Sequence, residues 1–425
     1  MTRKGLLRLA TAAAIVAGAT GAANAASILF WSSQGTPVEE QQRIRDSVLK
    51  AFGEVEFSPQ DPGPFITRIQ AEAQAGKGTI GLIGGLHGDF ASFPDAMANL
   101  TDLSASLASL KVNQTYLGLG KLGGADQKYI PWMQATYIMA ANKKALPFLP
   151  AGADINALTY DQLIAWGKNL AEKTGGPKIG IPAGPKGLIH RFFQGYLYPS
   201  FTKSEVTKYK SPEAVAMWQK MKDLWAVTSP ASTNYGFMQE QLLSEEVWVA
   251  WDHTARLADA FNQKPNDFVA FPVPAGPAGR GFMPVVAGLG IPKTAPDMEQ
   301  SKKLLAYMLQ PSTQIAMLKA NGFFPVVAAE LPADLPASVK AEGAAVALQS
   351  GSKDAVPGLL PIGLGANGGK FNKVYTDTFQ QIVLNNADIK KVLDEQGAIL
   401  AGIMKESNAP CWGPDAPSTG PCPVN

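Results

Sequence analysis

The chain has 425 residues, 46% of them hydrophobic and 17% charged, with a formal net charge of +2. That is apolar material for about two domains with proper cores, and no basic block stands out, so nucleic acid is excluded as an expected partner. Arg3, Lys4 and Arg8 precede a short apolar run and the small-x-small triplet Ala23-Asn24-Ala25. This is the layout of a secretory signal peptide over residues 1–25, with an apolar run short for a bilayer span. No later segment has the long apolar run of a transmembrane helix, so an exported, soluble mature chain is expected. Without the leader, 34 Lys and Arg stand against 35 Asp and Glu.

Taken in chain order, "ASILFW" is a strand that ends at Ser33-Gln34, and Thr36-Pro37 with Glu39 form a helix start. "VEFS" is a second short strand. "PFITRIQAEAQAG" is a helix stopped by Gly76, and "TIGLIGGL" a buried strand, giving the β-α-β-α-β alternation of a covered parallel sheet. "KYIPW" reads as a strand. Further on, Thr159 with Gln162 caps a helix that Gly175 ends, and Ser211-Pro212 opens another carrying Val215, Trp218, Met221, Leu224 and Trp225 on one side. "EVWVAWD" and "DFVAF" are strands. Two helices follow with a break at Gln310-Pro311, and a last helix presents Ile389, Val392, Leu393, Ile399 and Ile403.

Several chemical signals lack their context. "GLGKLG", Gly118 to Gly123, matches a dinucleotide-loop spacing, but a turn and a strand follow it where a helix is required. His87, His190 and His253 have no helix-face spacing, so no metal is expected. Glu245-Glu246 with Asp252 would suit glycoside cleavage as acid and base, whereas adjacent glutamates at a bend are more often solvated. Cys411 and Cys422, the two cysteines, are expected to close a small loop in an oxidising compartment. The densest cluster is "EEVWVAWDHTARL", residues 245–257. Alternation there assigns Trp248 to the core and sets Trp251, Asp252, His253 and Thr254 at the carboxyl end of a strand. Arg256 is balanced between ligand contact and pairing with Asp252 or Asp259.

The order of these segments resembles the extracellular solute-binding proteins of bacterial ABC importers, in the group with maltose- and other sugar-binding proteins. "ILFWSSQGTPVEEQQRIRDSVLKAF" is similar to the family's opening strand and helix, "KYIPWMQATYIMAANKKAL" to its first passage between lobes, and "LTYDQLIAWGKNL" to a family helix start. "FPVPAGPAG", "VVAGLGIPK" and "NGFFPV" resemble its later passages. "GTIGLIGGLHGDF" and "SEEVWVAWD" depart from the family pattern at expected cleft-facing strand ends. The resemblance implies an α/β fold of two lobes, each a mainly parallel sheet flanked by helices and joined by hinge strands. Passages near Gln134–Tyr137, Val285–Gly288 and Phe324–Val327 place residues 26–135 plus 287–326 in one lobe. The other takes 136–286 plus 327–425, its tail 406–425 carrying the cysteine pair.

Ligands bind at the carboxyl ends of parallel strands and between domains. The expected ligand-binding set is therefore Ser33, Gln34, His87, Asp89, Trp132, Gln134, Tyr137, Arg191, Trp251, Asp252, His253, Gly288 and Phe324. No catalytic residue and no cofactor is expected. The implied function is capture of a small carbohydrate or polyol in the periplasm by a monomer that delivers it to inner-membrane ABC permease subunits. A glycerol-phosphate-like or other charged solute on the same fold is the alternative, and a secreted glycan-cleaving enzyme a more distant one.

Overall fold

The computed structural model describes residues 27–35 and 38–425. The expected leader and the Thr36-Pro37 helix start lie outside the described residues. The strands are β1 (Ile28–Ser32), β2 (Val55–Pro59), β3 (Ile80–Leu86), β4 (Ile130–Ala135), β5 (Tyr137–Asn142), β6 (Ile179–Gly180), β7 (Val249–His253), β8 (Phe268–Phe271), β9 (Arg280–Phe282), β10 (Val285–Gly290), β11 (Phe324–Pro325) and β12 (Ala355–Pro357). A six-stranded sheet runs β11-β4-β10-β3-β1-β2 and a four-stranded sheet β6-β7-β5-β8; β9 and β12 form a separate pair.

Each main sheet is the centre of one lobe. In β1, Phe30 points to one face with Leu82 and Trp132, while Leu29 and Trp31 point to the other with Ile80, Ile83 and Tyr129. Both faces are therefore covered, as the period of two requires. In the second lobe Val249 and Trp251 face the large core, and Ala250 faces a smaller one with Ile138 and Ala140. The expected parallel pairing holds for β1 with β2 and β3 and for β6 with β7. The strands that carry the chain toward the other lobe run antiparallel, so both sheets are mixed.

Local chemistry sets the helix ends. The helix Pro62–Ala75 stops at Gly76, whose φ is 64°. Thr159 Oγ accepts from Gln162 N at 3.2 Å, Gln162 Oε1 accepts from Thr159 N at 2.9 Å, and the helix Tyr160–Thr174 ends at Gly175 with φ 81°. Ser211 caps Pro212–Trp225. "GLGKLG" is the end of the helix Gln114–Leu119 followed by a turn with Leu122 at φ 50°.

Only Thr136 separates β4 in the first sheet from β5 in the second. Its hydroxyl donates to Met283 O at 2.8 Å and lies 3.2 Å from Tyr196 Oη, so it ties the first passage to the second. Val285 and Val286 already pair with Ala135 and Gln134, which puts the second passage at Met283-Pro284, just before the expected Val285–Gly288. After β11 the chain leaves the first sheet, and the helix Ala337–Ser350 packs on the helix Thr254–Gln263 and on β8 of the second lobe. The tail closes onto this lobe, with Cys411 and Cys422 joined in a disulfide. Among the described residues no helix is long and apolar enough to cross a membrane.

Candidate functional site

Two cavities lie between the lobes at the ends of β3, β5 and β7. The larger, about 700 Å³, is walled by Glu40, Arg43, Asn321 and Phe323 of the first lobe and by Tyr137, Phe237, His253 and Arg256 of the second. The other, about 530 Å³, has Leu86, Gly88 and Asp89 on one side and Arg191, Pro361 and Asn372 on the other. A third cavity of about 760 Å³ sits at the connecting strands, lined by Gln134, Thr136, Phe282, Pro284, Phe324 and Pro325. Thr136 and Tyr137, like Phe324 and Phe323, are consecutive, and alternation sends consecutive side chains to opposite sides. The mainly apolar third cavity is therefore on the other face of the connection from the strand-end cavities.

Asp89 is held in place by its own lobe: Ser33 Oγ donates to it at 2.7 Å and the Leu86 amide at 2.9 Å. Gln34 Nε2 in turn donates to Ser33 O and Oγ, so Ser33 and Gln34 support Asp89 without lining either interlobe cavity. Burial pushes the Asp89 carboxyl up, and the two hydrogen bonds and the opposing Arg191 charge pull it down. Arg191 NH1 donates to Gln194 Oε1 at 2.9 Å and Gln194 Nε2 to Asn372 Oδ1 at 3.0 Å, which braces the cation from behind.

Tyr137 lies parallel to Trp251, with ring centroids 4.8 Å apart and planes 7° from parallel. Burial raises its hydroxyl to about 12, so it stays protonated at neutral pH. His253 Nδ1 accepts the Ala255 amide at 3.2 Å and caps the helix Thr254–Gln263. Burial, and then the Arg256 charge, lower its pKa from 6.5 to about 3. Nitrogen-15 shifts of His253 are therefore expected to show an Nε2–H tautomer that resists protonation until about pH 3. The folded value lies below the unfolded one, so this residue's contribution to stability is present above about pH 6.5 and is lost as pH falls toward 3. Protonation near pH 6 in the folded protein would contradict the assignment.

Seven expected residues lie elsewhere. Trp132 and Trp251 are fully buried, because strand alternation turns Trp132 onto Phe30 and Trp251 into the second-lobe core beside Phe192 and Tyr196. Trp248, assigned to the core, precedes β7 and is half-buried beneath Lys178. Asp252 is fully buried; its oxygens accept the Met238 and His253 amides, and burial lifts its pKa to about 7. His87 packs inside the first lobe with Nδ1 2.7 Å from Tyr129 Oη, and burial lowers its pKa to about 4. Gly288 faces the Tyr129 ring, which a Cβ there would strike. Gln134, whose Nε2 donates to Pro325 O at 3.1 Å, and Phe324 line the cavity behind the connection. Sequence reasoning missed Arg43, Phe237 and Asn321. Asn321-Gly322 carried a usable signal, as a helix end just before the third passage, whereas nothing in "NYGFM" marks Phe237.

Glu245 is paired with Lys144 at 2.6 Å, and Glu246 accepts from Tyr235 Oη at 2.9 Å. Neither lines an interlobe cavity. No group of three or more His, Cys, Asp or Glu able to hold a metal ion occurs among the described residues.

Two α/β lobes facing each other across cavities at their strand ends define a two-lobed periplasmic binding protein fold. The chain belongs to the bacterial extracellular solute-binding protein family, whose model matches residues 37–315. No curated protein sequence matches it. Among solved structures it is similar to maltose-bound MalE3 of T. maritima, with a TM-score of 0.69 and 19% identity over 88% of this chain and 98% of that one. The GacH receptor of Streptomyces glaucescens, solved unliganded and with acarbose, gives 0.67 and 18% over 89% and 98%. UgpB of Mycobacterium tuberculosis in complex with glycerophosphocholine gives 0.65 and 18% over 90% and 99%. At such identities these likenesses establish the fold. Family membership makes the protein a substrate-binding protein of the periplasmic or extracellular space.

Proposed function

We propose that the chain is the periplasmic substrate-binding component of an ABC importer, a monomer that captures a small carbohydrate or polyol and delivers it to membrane permease subunits. The observation that carries this reading is the cavity of about 700 Å³ walled by polar groups from both lobes. A solute there touches Arg43 and Asn321 on one side and Tyr137 and His253 on the other, so binding favours the closed arrangement over the open one. Asp89 and Arg191 face each other across the second cavity and grip the solute or the opposite lobe as the cleft shuts. The role is capture without chemistry. On this reading residues 26–135 together with 284–325 form one lobe, and 136–283 with 326–425 the other.

A thermal-shift series with hexoses, disaccharides, polyols and their acidic derivatives tests the proposal. A solute at 100 times its dissociation constant adds about 2.7 kcal/mol and raises the melting temperature visibly. One chemical class raising it supports capture; no shift from any class removes the proposal. Closure itself is testable at Gly88. A Cβ on this residue would run into the Pro361 carbonyl of the other lobe. Overpacking of this kind costs about 1–3 kcal/mol, so Gly88→Ala is expected to weaken capture about ten-fold and to enlarge the liganded protein in small-angle scattering. Equal affinity and equal size would show that the lobes do not meet there in the bound state.

A further inference from the structure

The larger interlobe cavity offers an unbalanced set of hydrogen-bonding atoms. Asn321 lines it and is only 7% exposed; its Oδ1 accepts from Arg43 Nε at 2.8 Å, and its Nδ2 has no partner among the described residues. An arginine N–H can only donate, so the amide cannot be turned round, and the unpaired end is the NH₂. The same logic fixes His253. Its Nδ1 is taken by the Ala255 amide, so the neutral ring carries its proton on Nε2. At the rim, Asn262 Oδ1 accepts the Ser338 amide at 3.1 Å, which leaves another NH₂. In all three the acceptor atom is occupied by a group that can only donate. The unpaired group that each turns to a guest is a donor.

Two arginines extend the pattern from opposite lobes. The terminal nitrogens of Arg43 carry no bond to described residues. Arg256 is held with its guanidinium 4.4 Å over the Phe237 ring and NH1 donating to Gly236 O at 2.9 Å, so the rest of its fork is ready without rearrangement. The helix Thr254–Gln263 starts beside them; its Thr254 amide is taken by Thr136 O and its Ala255 amide by His253 Nδ1, so what it adds is the positive end of its dipole. The same wall also carries acceptors: Asp259 is exposed at the rim, Glu40 and the last carbonyls of the helix Pro311–Asn321 lie on the first lobe, and Tyr137, Gln239 and Ser338 can both donate and accept.

A neutral polyol brings one donor with every acceptor, and several of its hydroxyl protons would meet donors here. A carboxylate or phosphoryl group brings acceptors alone and forms the stronger, charge-assisted bonds. We propose that the captured solute is an acidic carbohydrate or polyol whose carboxylate or phosphoryl group bridges Arg256 and His253 of one lobe to Arg43 and Asn321 of the other. The proposal rests on the capture reading above and names the group that both lobes share on closing.

The test is calorimetry with matched pairs: hexoses, pentoses, disaccharides and polyols against their uronic, aldonic and phosphorylated counterparts. The expected result is an acidic member binding at least about ten-fold tighter than its neutral parent. That advantage should shrink in high salt and be lost in Arg256→Gln and Arg43→Gln. Uronic and phosphorylated arms separate a carboxylate from a phosphoryl ligand. Should a variant fail to fold, the salt dependence of the unaltered protein decides, because screening weakens a charge-led contact and spares a neutral one. A neutral parent binding as tightly as its acid overturns the inference and leaves capture standing. A panel in which neither neutral nor acidic members bind overturns both.

Discussion

Trp251→Ala is expected to destabilise the protein by about 3–5 kcal/mol, the range for removing a large aromatic from a packed core. The indole is fully buried and touches Tyr137 at 4.8 Å, Phe192 at 4.9 Å and Tyr196 at 5.4 Å between ring centroids. The same rings reach the passage between lobes, since Tyr196 Oη accepts from Tyr137 N at 2.9 Å and donates to Tyr137 O at 3.0 Å. Without the indole behind it, Tyr137 loses the surface that fixes its position in the cavity wall. Solute affinity should therefore fall together with stability. Trp251→Phe separates the two effects: the indole Nε1 has no partner among the described residues, so phenylalanine gives up packing volume and no hydrogen bond. It should cost less than about 2 kcal/mol and retain most of the affinity. Chemical denaturation and calorimetry of both variants check this. An alanine variant of undiminished stability would mean that the ring cluster is not the core of this lobe.

The second large effect is expected at the tail. Asp415 is buried and accepts the amides of Glu205 at 2.8 Å, Val206 at 2.9 Å and Thr207 at 3.1 Å, along with the hydroxyls of Ser204 and Thr207. Asp415→Ala leaves three backbone donors without an acceptor. Each unsatisfied buried group costs about 1–3 kcal/mol, so a total loss of about 3–5 kcal/mol is expected. The disulfide between Cys411 and Cys422, separated by 11 positions, acts on the same segment by restricting the unfolded chain. For so short a loop that is worth about 3 kcal/mol. Trp412 also joins the segment to the lobe, with Nε1 donating to Glu205 Oε2 at 2.8 Å and its ring against Phe371. Because these contacts share one segment, Asp415→Ala in the reduced protein should lose less than the two separate losses together. Urea denaturation of the four species measures that coupling, and strict additivity would show that tail and loop act independently.

The elements were legible where a local signal and a tertiary requirement agreed. Thr159 with Gln162, Ser211-Pro212, Gly76, Gly175 and Gln310-Pro311 bound helices in the structure because capping and left-handed turns are short-range chemistry. Faces were less legible. In the last helix, Ile389–Ser407, Val392, Leu393 and Ile403 are buried as expected, but Ile399 is 51% exposed and its neighbour Leu400 is fully buried, a detail that only the packing of neighbouring helices decides. The candidate site divided the same way. Asp89 just after β3, Tyr137 at the first passage, His253 at the end of β7 and Arg191 in the short helix Ile189–Phe192 line the interlobe cavities, as their positions along the chain suggest. Trp132, Trp251 and Asp252 are close to them in sequence, but both faces of β4 and β7 are covered, so these side chains enter the lobes rather than the cleft. Whether a strand is covered on one face or on both is set by the elements packed against it, which the sequence of the strand does not contain. Arg43 and Asn321, 278 positions apart yet bonded to each other, are brought together by tertiary structure alone.

β10 lies between β3 and β4 in the first sheet. A growing chain that has emerged only as far as β4 therefore lacks β11 at the edge and β10, the strand that joins β3 to β4. Ile80–Leu86, an almost wholly buried strand, has an open edge until residues 285–290 arrive, after most of the second lobe has been made. The first sheet cannot be completed, lobe before lobe, in the order of synthesis. For a protein of the periplasmic or extracellular space, the same order delays completion of the first lobe until about two thirds of the chain has been made.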